Sequence, residues 1–225
     1  MIKFLSPKLT RQRLRIKFSR GQGLKYISHL DLMRLWERAF RRAGIPMAYS
    51  EGFNPRPRLS FGSPLAVGIT SEAELLDIYL EQRISPHHLT INVSRQLPSE
   101  IVVCEIQEVG LKIPSLQSQM SHAVYTVVVE TNRSPEEVKL AVQDFLKREH
   151  IQWQHVRDNK TKEYDIRALV EDMSISEHQN DESALKMRLK ISGRPEQVAL
   201  ALGFTNHPKS IHRTNIILDS AMGNG

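Results

Sequence analysis

Two tandem ferredoxin-like units, each of β-α-β-β-α-β order, make up the α+β fold that this sequence predicts. Three observations lead there: period-two strand patterns alternate with capped amphipathic helices, the order occurs twice, and a polar stretch near residue 115 parts the two runs. At 225 residues the chain can hold two cores of ordinary size, since one core serves roughly 100–200 residues. The expected partition is an extension over 1–11, a basic unit over 12–112, a second unit over 122–218 and a frayed tail over 219–225.

The first unit opens with Arg13-Leu14-Arg15-Ile16-Lys17-Phe18. Leu14, Ile16 and Phe18 share one face and Arg13, Arg15 and Lys17 the other, which predicts a strand with a dry face and a basic face. Gly21-Gln22-Gly23 breaks the chain as a turn, because it lacks the Gly-Lys-Ser/Thr ending of a phosphate loop. Ser28-His29-Leu30-Asp31 has the form of a helix cap; the helix runs to about Ala43 and stops at Gly44, with Pro46 beyond. Its apolar stripe is Leu32, Leu35, Trp36, Ala39, Phe40 and Ala43. Strand is expected at Ile69 and over 74–80, a short helix over 86–94 and a closing strand over 101–109.

The second unit repeats the order. Residues 123–130 are rich in β-branched side chains, and Ser134-Pro135-Glu136-Glu137 opens a helix with a cap, a first-turn proline and early acids. That helix should bury Val138, Val142, Phe145 and Leu146 and end near His150. Strands follow over 151–156, 164–170 and 185–191, then a short helix from Arg194 and a last strand over 211–218. The stretches 111–121 and 176–183 read as a linker and a loop. Asp165 and Arg167, two apart on a strand, read as an ion pair on one face.

A hydrophobic share of 40% with 25% charged residues is that of an ordinary globular protein. No run of eighteen apolar residues is present to span a membrane, and the opening residues lack the apolar core and cleavage site of a signal peptide. No membrane role and a cytoplasmic location are therefore expected. The one cysteine, Cys104, lies in a strand pattern and reads as a small core or edge residue. A lone cysteine excludes disulfides, zinc knuckles and cysteine-held iron–sulfur clusters within the chain. His87 and His88 are adjacent rather than at a spacing that aims two imidazoles at one ion, so neither a metal nor a cofactor is expected.

The charge is one-sided. Residues 1–70 hold 14 of the 31 Lys+Arg but only 3 of the 25 Asp+Glu, so the overall +6 conceals one strongly basic end. A field of this kind points to anionic partners. Within the first helix Arg34, Arg38 and Arg42 recur one turn apart with Arg41 flanking, a spacing at which like charges repel. The helix leads into Ser50-Glu51-Gly52-Phe53-Asn54-Pro55-Arg56-Pro57-Arg58-Leu59-Ser60-Phe61. Pro55 and Pro57 hold this segment extended, so that Arg56 and Arg58 face the same way with little entropy left to lose. Tyr49, Phe53 and Phe61 interleave the charges with flat surfaces suited to stacking on bases. Guanidinium forks bind phosphate oxygens in pairs, so RNA or another phosphate-bearing ligand is the expected partner of Arg34, Arg38, Arg41, Arg42, Phe53, Asn54, Arg56 and Arg58. For catalysis the candidates are His29 and Asp31 at the helix start, but two residues apart on a helix they diverge, and capping accounts for Asp31. A non-catalytic binding role is the expectation, with RNA processing by His29 and Asp31, or docking of an acidic protein, as alternatives.

Tyr26-Ile27-Ser28-His29-Leu30-Asp31-Leu32-Met33-Arg34, Arg38-Ala39-Phe40-Arg41-Arg42-Ala43-Gly44-Ile45-Pro46 and the segment from Ser50 to Phe61 resemble the signature of the radical-SAM-linked protein family, a bacterial domain of unknown function. Glu163-Tyr164-Asp165-Ile166-Arg167-Ala168-Leu169-Val170 and Arg213-Thr214 resemble its second-half motifs, so the likeness spans roughly residues 12–218. Members of that family occur fused to, or alongside, a radical-SAM enzyme with a cobalamin-binding region. The resemblance implies an accessory role beside such an enzyme, with the iron–sulfur and cobalamin chemistry in the partner.

Overall fold

A computed structural model describes residues 10–157, 160–179 and 181–219. The expected extension over 1–11, apart from Thr10 and Arg11, and the expected tail over 219–225, apart from Asp219, lie outside the described residues. The fold is α+β, in two compact units: residues 10–120 with Asp219, and Ser121–Leu218.

The first unit runs β1 (Gln12–Arg20), α1 (His29–Arg42), β2 (Leu59–Phe61), β3 (Thr70–Leu80), α2 (Pro86–Ser94), β4 (Val103–Val109) and α3 (Leu116–Gln119). Its strands lie in the order β4-β1-β3-β2, each antiparallel to its neighbour. The register sets Leu14 opposite Ile78 and Ile16 opposite both Leu76 and Ile106, so the dry face of β1 continues across the sheet. Against it pack Leu32, Trp36, Ala39 and Phe40 of α1 and Leu89 and Val93 of α2, all buried. The Phe18 ring stands edge-on to Trp36 with centroids 4.9 Å apart, a geometry that adds to simple area burial. The first helix is capped as its sequence predicts, Asp31 N donating to Ser28 Oγ at 3.1 Å. It ends at Gly44, whose φ of +65° only glycine adopts freely, with Ile45 N closing back on Phe40 O at 3.0 Å. Strand β2 falls inside the stretch read as loop; at three residues it is too short to show alternation. Strand β3 is continuous from Thr70, where Ser71 and Glu72 hide the apolar period.

The basic face of β1 is not a surface. Arg13 and Arg15 are 1% and 5% exposed, and both donate to the carboxylate of Asp77, which is fully buried and stands opposite Arg15 on β3. Arg13 Nε reaches Asp77 Oδ2 at 2.9 Å, while Arg15 Nε and Nη2 reach Oδ1 and Oδ2 at 2.8 and 3.0 Å. The surplus positive charge is met by dipoles: Arg13 donates to the carbonyls of Ile113 and Pro114 at 2.6 and 2.9 Å, and Arg15 to Gln119 Oε1 at 3.4 Å. Within the stretch 111–121, expected to be a linker, residues 113–119 thus pack over this face as a strap, with Leu116 of α3 fully buried. Local periodicity shows only that the arginines share a face; their counter-ion comes from a strand far along the chain.

The second unit runs β5 (Met120–Glu130), α4 (Pro135–Lys147), β6 (Gln152–Arg157), β7 (Lys160–Asp165), β8 (Val170–Gln179), β9 (Glu182–Lys190), α5 (Pro195–Ala201) and β10 (Ser210–Leu218). Strands β10-β5-β9-β8 form its sheet, and β6 and β7 pair separately as a hairpin. With that hairpin set aside, the first strand of each unit lies between the unit's third and last strands. Val127, Val138, Val142, Phe145, Leu185, Met187 and Val198 share the core, and α4 starts on a full capping box between Ser134 and Glu137. The expected loop over 176–183 is instead the end of β8 and the start of β9, with Gln179 opposite Glu182 and Asp181 between them at φ 61°. The first part of β8 reaches the core through Val170 and Met173, but its end, Ser176-Glu177-His178-Gln179, is polar on both sides, so no apolar period marks that part of the outer strand.

The expected Asp165–Arg167 ion pair is also corrected. Asp165 ends β7 and turns its carboxylate to the backbone N–H groups of Ile151 and Arg167, each at 3.0 Å, and to His150 Nδ1 at 2.8 Å. Arg167 begins a 3-10 turn and donates to the carbonyls of Leu146 and Val170. The chain leaves the strand between them, so the same-face argument fails. The Ile151 N–H, then the His150 hydrogen bond, hold the Asp165 carboxyl down to about 2.

Two outcomes follow from these arrangements. Asp77→Ala leaves two buried guanidiniums without a carboxylate and should cost about 3–5 kcal/mol in urea unfolding; a loss under about 1 kcal/mol would show that the backbone carbonyls suffice. Because the carboxyl of Asp165 titrates below its ordinary 3.8, its stabilisation is present above about pH 4 and lost as the pH falls through about 2. Asp165→Asn should therefore be less stable than the parent at about pH 6, with the gap closing toward about pH 2 in a thermal-unfolding series.

Candidate nucleic-acid interface

The charged side of α1 is open to solvent. Arg34, Arg38, Arg41 and Arg42 are all exposed. Arg34 Nη1 lies 3.5 Å from Asp31 Oδ1 in a contact that water weakens, and Arg42 Nη2 donates to Gln96 O at 2.8 Å. Among the described residues no carboxylate pairs with Arg38, Arg41 or Arg42. Beyond the Arg34–Asp31 contact, the compensation that a row of like charges calls for is therefore not supplied by the acids described in this chain.

After the helix comes the Asn-Pro-Arg-Pro-Arg loop, closed at its base by the chain itself. Ser50 N donates to Arg56 O at 2.9 Å, Arg56 N to Ser50 Oγ at 3.0 Å, and Arg58 N to Ala48 O at 2.7 Å. Gly52, at φ +119°, makes the bend. Phe53 at the tip is fully exposed, and Asn54 and Arg56 are exposed with it. Arg58 is held differently: its guanidinium lies 4.7 Å over the Tyr79 ring and donates to Thr10 Oγ1 at 2.9 Å. Tyr49 keeps half its surface exposed, but Phe61 is 7% exposed and packs edge-on to Phe18 with centroids 6.4 Å apart. Phe61 is thus a core residue and not one of the stacking surfaces expected from the sequence. The apolar period that places it there begins only at β2.

His29 and Asp31 are not joined by a hydrogen bond. Ser28 Oγ donates to Asp31 Oδ2 at 2.7 Å while accepting from Asp31 N, so this carboxylate serves the cap. His29 is exposed, and its ring meets Phe61 edge-on at 5.5 Å. The turn Gly21-Gln22-Gly23 is filled by the protein's own carboxylate: Gly23 N donates to Glu100 Oε2 at 2.9 Å, and a Cβ on Gly21 would come within 2.3 Å of that oxygen. Cys104 lies exposed on the outer strand β4. No group of three His, Cys, Asp or Glu side chains is placed to hold a metal ion among the described residues. No helix there is long and apolar enough to cross a membrane.

One residue escaped the sequence reading. Arg95, exposed at the C-terminal cap of α2, lines an open groove of about 660 Å³ together with Arg38 and Arg42 of α1 and with Leu35, Gln96, Leu97 and Pro98. A lone arginine after an ordinary short helix carries no local signal; only the packing of α2 beside α1 sets it there. A groove of about 520 Å³ in the second unit is lined instead by Glu130, Asp181 and Glu182, and its Arg133 is engaged by the carbonyls of Leu202 and Gly203.

Residues 13–200 match the bacterial family described as "uncharacterized protein conserved in bacteria (DUF2344)". The chain belongs to that family. Comparison with curated proteins finds no match. Among solved structures, this DUF2344 chain is similar to one in the crystal structure of a Cbf5-Nop10-Gar1 complex, at 8% identity and a TM-score of 0.43, over 96% of this chain and 61% of that one. It is similar to one in the structure of an H/ACA RNP bound to a substrate RNA containing 2′-deoxyuridine, at 8% identity and a TM-score of 0.39, over 93% and 58%. A third is the crystal structure of the first two RRM domains of yeast poly(U)-binding protein, Pub1, at 12% identity and a TM-score of 0.22, over 90% and 98%. The DUF2344 chain spans about three fifths of the first two chains, and likeness this slight decides neither fold nor function.

The two loop aromatics of this DUF2344 protein should separate cleanly. Phe53→Ala should change stability by no more than about 0.5 kcal/mol, whereas Phe61→Ala should cost about 3 kcal/mol or more, both read by urea denaturation. Equal losses would mean that the loop tip is packed and not presented to solvent.

Proposed function

We propose that this protein consists of two tandem ferredoxin-like units and binds RNA without catalysing a reaction on it, through Arg34, Arg38, Arg41, Arg42, Asn54, Arg56 and Arg58, with Phe53 stacking on a base. The observations that carry this reading are the row of exposed arginines on α1 and, next in the chain, a backbone-closed loop that holds Phe53 and Arg56 out in solvent. Guanidinium forks read phosphate oxygens, and an exposed ring offers a base a stacking partner without a sequence requirement. A loop whose base is already fixed loses little freedom on binding. The strand arrangement common to the two units supports the ferredoxin-like reading.

An accessory role beside a radical-SAM enzyme is part of the same proposal and is supported by the motif resemblance. With one cysteine in its sequence, this chain cannot itself supply the ligands of a cysteine-held cluster, so that chemistry would belong to the partner. Here the protein would hold the RNA while the enzyme acts on it.

Filter binding of the purified protein to total cellular RNA tests the proposal. Affinity should fall about a hundredfold or more between about 50 and about 200 mM salt, and Arg56→Ala/Arg58→Ala should lower the logarithmic salt slope by about 1 to 1.5. Affinity that ignores salt, or a slope the double variant leaves unchanged, would remove the loop from the interface.

A further inference from the structure

Three guanidiniums surround one open groove, and no carboxylate lines it. Arg38 and Arg42 stand one turn apart toward the C-terminal end of α1, and Arg95 caps the C-terminal end of α2. The negative ends of two helix dipoles attract cations, but each carries only about half a charge. Helix α1 already has Arg41 in its last turn. Arg42 is oriented by its bond to the Gln96 carbonyl at 2.8 Å, whereas Arg38 and Arg95 make no ion pair among the described residues. The groove therefore holds more positive charge than its own surroundings balance.

We infer that Arg38, Arg42 and Arg95 bind a dianionic phosphate monoester, the terminal phosphate of the ligand. The match is one of charge: a phosphodiester in the middle of a chain carries a single negative charge, while a monoester carries close to two above its second pKa of about 6. Two guanidiniums with no ion pair among the described residues, and a third already oriented, complement a dianion with three acceptor oxygens. Leu35, Leu97 and Pro98 complete the wall of the groove. The inference deepens the RNA-binding reading, with which it shares Arg38 and Arg42, but Arg95 belongs to it alone. The phosphate can come from the end of an RNA chain or from a small phosphorylated molecule.

The test uses three oligoribonucleotides of one sequence, with a 5′-phosphate, a 3′-phosphate or neither, bound to the parent protein and to Arg95→Ala. Ribose 5-phosphate, followed by broadening of its phosphorus resonance, is the free-phosphate arm. The parent should prefer one phosphorylated end by about tenfold, with the preference shrinking below about pH 6. Arg95→Ala should lose that preference yet bind the unphosphorylated oligomer as the parent does. Broadening of ribose 5-phosphate by the parent and not by Arg95→Ala would equally support the site and assign the ligand as a free phosphate ester. Equal binding of all three oligomers, together with broadening that Arg95→Ala leaves unchanged or that neither protein shows, overturns the inference. The RNA-binding reading is judged separately, by the salt slope of the loop variant, so either can fail alone.

Discussion

A single buried carboxylate, that of Asp77, governs the first unit. It ties β1 to β3 through two guanidiniums, and the donors it leaves over hold the strap of residues 113–119 against the sheet. Neither Arg13 nor Arg15 could stay buried without it, because an unpaired charge in the interior costs several kcal/mol. A hydrophobic pair would hold two strands together as well. A carboxylate flanked by two forks also sets orientation, since each nitrogen must find an acceptor in a fixed plane.

That clamp decides which charges face outward. Arg13, Arg15 and Arg20 are interior groups, so three of the fourteen basic residues of 1–70 present no charge to solvent. Exposed positive charge remains on α1, on the loop that follows it and at Arg95. With one face of the sheet covered by the two helices and arginines of the other held by the strap, the outer side of α1 and the tip of the loop remain open to solvent. Charge counted along the chain and charge presented to solvent are different quantities, and only the second steers a ligand.

Much of the architecture was legible because it rests on local rules. The Ser28 and Ser134 caps, the stop at Gly44, the apolar stripe of α1 and the dry face of β1 each follow from residues within a turn or two of one another. The misreadings share a cause as well. Strand β2 is too short for a period, the end of β8 is polar on both sides because it is the outer strand, and Arg167 leaves the strand that Asp165 ends. In each case a neighbour distant in the chain, or the lack of one, set the conformation.

The same division runs through the candidate site. By itself the sequence determined that the chain is α+β, that α1 carries its arginines away from its core stripe, and that prolines and a glycine shape the loop after it, since these depend on helical period and backbone sterics. Tertiary structure alone decided that Phe61 turns inward while Phe53 stays out, that the arginines of β1 are spent on Asp77, and that Arg95 joins Arg38 and Arg42. Those outcomes depend on which surfaces come together when the sheet and helices pack. A one-dimensional pattern does not contain that information, because burial and charge pairing are properties of contacts between residues far apart in the chain.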